Sequence, residues 1–227
     1  MPVYSLMICC AAALVAWIYH RDRYEKEPWP AILLALATGF GAMWIIGQAD
    51  DFAIRFLHIS RDRIITKAAT IALIEEGGKL FTVLFLAFVL LRKLFNDPMD
   101  GLIYGQLVGL GMAVEESLLY LSLSPATPQT LGIEIVRLFA HSLMGGIIGF
   151  AIGLGCRPDH RREHYPRLTI LCVALTTTMH FAWNVAAYGE FKGIISHVLP
   201  MGLMLTLMGM WRLFCSIAES RAKKVFG

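Results

Sequence analysis

Ten polar residues stand inside otherwise apolar runs of this chain: Glu75, Glu76, Lys79, Glu115, Glu116, Glu134, Arg137, His141, His180 and Asn184. Their types suit acid–base work on water. Carboxylates crowded together in an apolar setting have their ionisation pushed apart, so that one serves as base and another as acid near neutrality. Imidazole and carboxamide groups can donate hydrogen bonds to a developing oxyanion. A Glu-activated water with His and Asn over the tetrahedral intermediate is a coherent hydrolase site. Two histidines and several glutamates are also an acceptable Zn²⁺ ligand set.

Spacing puts these residues on shared helix faces. Glu75 and Lys79, Glu116 and Tyr120, Arg137 and His141, and His180 and Asn184 are each four apart, so each pair projects from one side of a helix. Adjacent glutamates point about 100° apart. In each Glu-Glu pair one is expected to reach the centre of a cavity and the other to pack against a neighbouring helix.

The elements that must carry them follow from composition. Of 227 residues 57% are hydrophobic and 16% charged, with mean hydropathy +0.61; a soluble domain carries about 25% charged residues. This excludes an ordinary soluble enzyme, a disordered chain and a nucleic-acid binder. Seven apolar blocks are long enough, or nearly so, to cross a bilayer, which takes about 17–25 residues. They run over 3–19, 31–46, 64–91, 101–123, 132–155, 168–188 and 194–217. The expected fold is all-α, a polytopic membrane bundle of about seven transmembrane helices forming one domain over 1–227. Residues 47–63 read as a separate helix lying on the outer surface, with Phe52, Phe56 and Ile59 at helical spacing. Trp17, Trp29, Trp44, Tyr104, Tyr188 and Trp211 near block ends read as interfacial rings.

Basic residues set the expected orientation. With the N-terminus outside, the cytoplasmic connections 20–29, 92–100, 156–167 and 218–227 hold 12 Lys and Arg, and the external ones hold 4. The positive-inside rule therefore favours N-terminus out, C-terminus in. Counted along the alternating helices, the glutamates and both histidines then fall at one level, about 11–18 Å below the outer surface. Charged residues at such depth are costly, and unrelated structural charges have no reason to align. The expectation is one polar cavity in the outer half, ringed by the third to sixth helices.

Other chemistries lack their residues. There is no H-E-x-x-H and no G-x-S-x-G. Every Asp falls in a connection or at the edge of a block, so no aspartyl pair is expected in mid-membrane. Cys9, Cys10, Cys156, Cys172 and Cys215 are odd in number and have no C-x-x-C spacing, and read as small apolar residues. Gly105-x-x-x-Gly109 and Gly145-x-x-x-Gly149-x-x-x-Gly153 read as helix-packing seams. A transporter or proton-coupled channel is the main alternative, because intramembrane Glu, Lys and His also mark ion pathways. A haem or quinone protein using His141 and His180 is another.

The same residues resemble the motifs of the PrsW-type intramembrane proteases, relatives of the prenyl-protein (CAAX) and bacteriocin-processing proteases. Tyr19 to Pro28 is similar to the family's acidic, Pro-containing first loop. Glu75-Glu76-Gly-Gly-Lys79 resembles its E-E-x-x-K signature. Asp100-Gly101-Leu-Ile-Tyr104-Gly105, continuing to Glu115-Glu116, resembles its second motif, with Glu-Glu where Glu-Asn is frequent. Arg137-x-x-x-His141 and His180-Phe-Ala-Trp-Asn184 resemble its later His motifs. The resemblance implies a glutamic-type intramembrane peptidase of the bacterial plasma membrane. Its partner would be a single-pass membrane protein such as an anti-sigma factor, cut near the outer side. It implies Glu75 as base, Glu76 and Lys79 orienting it, and His180 with Asn184 as oxyanion donors, with no cofactor, Zn²⁺ being the open alternative. One departure stands out. The processing relatives carry a catalytic His on the helix after the Glu-Glu helix, where this chain has Glu115 and Glu116 and brings His141 one helix later.

Overall fold

The computed structural model describes residues 2–21, 25–60, 62–123, 127–156, 165–188 and 195–226. Among them there are seven helices and no strand. These are α1 Pro2–Tyr19, α2 Trp29–Phe56, α3 Ile64–Phe85, α4 Pro98–Leu123, α5 Pro128–Gly155, α6 Tyr165–Tyr188 and α7 Ile195–Phe226. A π-helical turn, Leu86–Leu90, prolongs α3. Five helices (α2, α4, α5, α6 and α7) are long and apolar enough to cross a membrane. Large apolar side chains cover the outside, among them Trp44, Phe81, Leu123 and Ile170, a surface suited to lipid and not to water. Parts of the sequence reading lie outside the described residues: 22–24 of the first-loop motif, Arg61, 124–126 of an external connection, 157–164 with three of the counted arginines, and 189–194.

Local chemistry fixes the helix starts. Pro28 precedes α2, with proline again in its first turn. Thr127 caps α5 in a reciprocal box with Thr130, satisfying donors that a helix start leaves free. At α4 two aspartates cap each other's turn. Asp97 accepts from the backbone N–H of Met99 and of Asp100, and Asp100 accepts from those of Asn96 and Asp97. Carboxylates are favoured there by the helix dipole.

α4 is the buried axis of the bundle, with α5 on one side and α2 on the other. Glycine makes this approach possible. A Cβ at Gly105 would sit 2.2 Å from the Gly145 carbonyl oxygen, and one at Gly149 would sit 1.9 Å from that of Gly101. The Gly-x-x-x-Gly seams thus work as packing surfaces, as their spacing predicts.

Two expectations about the elements need correction. Residues 47–56 are not a separate surface helix; they are the last turns of α2, which runs unbroken for 28 residues. The stretch contains no proline, and α2 stops only at a left-handed His58 (φ 48°), where His58 N–H reaches Arg55 O and Ile59 N–H reaches Ile54 O. Such paired bonds close a helix C-terminus. Asp50 and Asp51 therefore belong to a helix, not to a connection. Second, Tyr104 and Trp211 are buried inside the bundle and do not present their rings to its outer surface. Tyr104 hydrogen-bonds Glu27, joining the first-loop motif to the second. Trp211 packs at a tilt against Trp17, with the Arg21 guanidinium over its ring. All five cysteines are free, and Cys172 and Cys215 are buried.

Candidate active site

α3 supplies three polar residues on its inward side. Glu75, Glu76 and Lys79 are all buried, at 3%, 0% and 0% exposure. Lys79 pairs with Glu76, three residues back, and not with Glu75 as the four-residue spacing suggested. A lysine this deep is tolerable because its charge is matched. Both members of the first Glu pair consequently face the cluster, against the expectation that one would turn away.

His180, from α6, joins the two glutamates. Its Nδ1 is 2.9 Å from Glu76 Oε1. Its Nε2 is 3.7 Å from Glu75 Oε2. His141, from α5, places Nε2 3.9 Å from that same oxygen, and the two rings meet edge to face with centroids 5.1 Å apart. Glu75, His141 and His180 each offer one ligand atom, all within 4.8 Å of one another. Glu75 Oε2 is buried with no hydrogen-bond partner.

α4 contributes Glu116, whose Oε2 is 3.4 Å from His141 Nε2 and whose Oε1 is 3.4 Å from Arg137 Nε. Arg137 is held in turn by Glu134 and lies 4.2 Å over the Tyr120 ring. Glu115 is half-buried on the neighbouring face and takes part in none of the cluster's hydrogen bonds or ion pairs. In the second Glu pair, then, one carboxylate points in and one away. Asn184 is buried one turn beyond His180, and its Nδ2 has no hydrogen-bond partner.

The helix carrying His141 is thus not out of place. α5 packs on α3 as well as on α4, and Gly109 makes the fit: a Cβ there would lie 2.0 Å from the His141 carbonyl oxygen.

One acidic residue escaped the sequence reading. Asp50 of α2 is buried, on a helix that packs against both α3 and α4, and it interacts electrostatically with Glu75 and Glu116. The cluster is therefore ringed by α2 as well as by α3 to α6. Asp50 was hidden because it follows the point where the second apolar block appears to end. The unbroken helical potential of 47–56 was the available signal.

Comparison with known proteins identifies the family. Residues 27–211 match the family described as PrsW family intramembrane metalloprotease. Protease PrsW of Geobacillus kaustophilus is 30% identical over 168 residues, covering 71% of this chain and 70% of the relative. Protease PrsW of Oceanobacillus iheyensis is 27% identical over 226 residues, covering 94% and 95%. Protease PrsW of Bacillus subtilis is 24% identical over 151 residues, covering 66% and 67%. No solved structure matches. The match spans all four helices that carry the motifs, Glu75 to Asn184, and the chain belongs to the PrsW family of intramembrane proteases.

Proposed function

We propose that this chain is an intramembrane endopeptidase that hydrolyses a peptide bond of a single-pass membrane protein, such as an anti-sigma factor, near the outer side of the bacterial plasma membrane. We further assign Glu75, His141 and His180 as the donors for a divalent metal ion of the zinc type. The observation that carries this reading is the convergence of Glu75 Oε2 with both Nε2 atoms, at 3.9 and 3.7 Å. Two ligands of tetrahedral zinc lie roughly 3.3 Å apart for bonds of about 2.0–2.1 Å, so the trio is somewhat wider than such a site and would draw in around the ion. The His180–Glu76 bond supports it further. A ligating histidine commonly gives its other ring N–H to a carboxylate, which fixes the tautomer and points the free nitrogen inward.

When bound, the ion supplies Lewis-acid polarisation of water and of the scissile carbonyl. The remaining work falls to this chain's side chains. Glu116, with Oε2 free of hydrogen bonds and Oε1 beside Arg137, takes the water proton and returns it to the leaving amine. Glu76, neutralised by Lys79, holds the His180 ring. Asn184, with its amide uncommitted, donates to the oxyanion. The metal-free alternative keeps Glu75 as the base.

Cleavage of a single-pass substrate in proteoliposomes tests both layers. Glu75→Ala and His180→Ala should insert normally and abolish cleavage; full activity in both would sink the site. A chelator should abolish activity and added Zn²⁺ restore it. Undiminished cleavage by protein shown to be metal-free would return Glu75 to the role of base.

A further inference from the structure

The cluster holds more carboxyl groups than cations: Asp50, Glu75, Glu76, Glu116 and Glu134 beside Lys79 and Arg137. Both cations are committed. Lys79 is bonded to Glu76, and Arg137 is held between Glu134 and Glu116. Asp50 is not among the converging donors.

Asp50 is unusual in its surroundings. It is 8% exposed, and its Oδ1 is buried with no hydrogen-bond partner. The charged groups acting on it are Glu116 and its neighbour Asp51, and it acts in turn on Glu75. All are acidic. A buried carboxylate without a partner is costly, and one set among other carboxylates is more so. The group that would satisfy it is a cation with N–H donors.

Its position indicates where that cation comes from. Asp50 lies six residues from the end of α2, about 9 Å along the helix axis. Asp51 beside it is exposed, so acidic groups run from the protein's surface to the edge of the cluster. A lysine or arginine with a long apolar stem can reach such a site while its backbone stays near the membrane surface.

We propose that Asp50 is a specificity-determining residue that binds a basic side chain of the substrate close to the bond that is cut. This rests on the endopeptidase reading above and adds the chemistry of the substrate to it. Glu116 has its Arg137 contact and Glu75 is one of the proposed metal donors, whereas Asp50 has neither.

The test uses the full-length protein in proteoliposomes and a single-pass model helix. Lys, Leu or Glu is placed in turn at each of four positions on either side of the cleaved bond. At one position the wild-type protein should favour Lys over Leu by at least about tenfold in kcat/KM. In Asp50→Asn that ratio should fall towards one, and in Asp50→Glu it should survive. No preference for Lys at any position, or the same preference in Asp50→Asn, would overturn the proposal. Unchanged selectivity with a lower zinc content in Asp50→Asn would overturn it too, by assigning Asp50 to the metal. Binding of the Lys and Leu helices to Glu75→Gln protein in nanodiscs gives an independent readout. Tighter binding of the Lys helix that vanishes on adding Asp50→Asn supports the proposal even where no helix is cut, and absence of any cleavage by wild-type protein would count against the endopeptidase reading alone.

Discussion

Glu76 accepts a hydrogen bond at 2.9 Å from Nδ1 of His180, across the interface between α3 and α6. The same carboxylate oxygen receives Lys79. One glutamate thus does two jobs: it neutralises a buried lysine and sets which histidine nitrogen is left free. Glu76→Gln should keep the protein inserted and folded but let the ring turn. The expected loss is about 10–100-fold in zinc affinity or in kcat, read by chelator competition beside cleavage assays. An unchanged zinc affinity and kcat would remove Glu76 from this role.

Lys79 is wholly buried and has one carboxylate partner. Lys79→Met leaves Glu76 uncompensated, and breaking a buried pair from one side costs about 3–5 kcal/mol. The double variant Glu76→Gln/Lys79→Met should recover most of that stability and little of the activity. Unfolding in mild detergent, followed for wild type and the three variants, separates the two effects.

Gly109 sets the distance between α4 and the backbone of His141. Gly109→Ala forces the helices apart or strains them, at about 1–3 kcal/mol for overpacking of this kind. It should lower the melting temperature and reduce cleavage together. Gly132→Ala, where a Cβ meets nothing within 4 Å, should leave both close to wild type. Equal behaviour of the two variants would mean that the α4–α5 seam does not hold the site.

The Tyr104 hydroxyl bonds Glu27, tying the loop before α2 to α4 at the far end of the molecule from the histidines. Tyr104→Phe removes a hydrogen bond to a charged group, worth about 1.5–3 kcal/mol. The loss should appear in thermal stability, with substrate selectivity unchanged. A shift in selectivity would connect this end of the bundle to the site.

The count of basic residues predicts an orientation that is open to direct measurement. Reporter fusions to the C-terminus should read cytoplasmic, and a tag at the N-terminus should be reachable from outside the cell. The opposite result would place the Glu–His cluster in the inner half and move the cut site with it.

The kind of molecule is legible in the chain's composition, and so are most of the polar residues that meet in the cluster. Apolar block length fixed the helices, because a backbone in lipid must satisfy its own hydrogen bonds. The cost of polar groups there made Glu75, Glu116, His141 and His180 conspicuous. Glycine spacing announced the seam between α4 and α5. Periodicity could not decide partners. Glu75 and Glu76 look equivalent along the chain, and only the position of α6 tells which one holds His180. Lys79 sits within reach of either, and packing gave it to Glu76. Glu115 and Glu116 are told apart only by where α5 lies. Asp50 went unread because a run of mixed polarity resembles a loop until a neighbouring carboxylate cluster gives its inward face a purpose. Spacing describes one helix at a time, and this site is made where five helices meet.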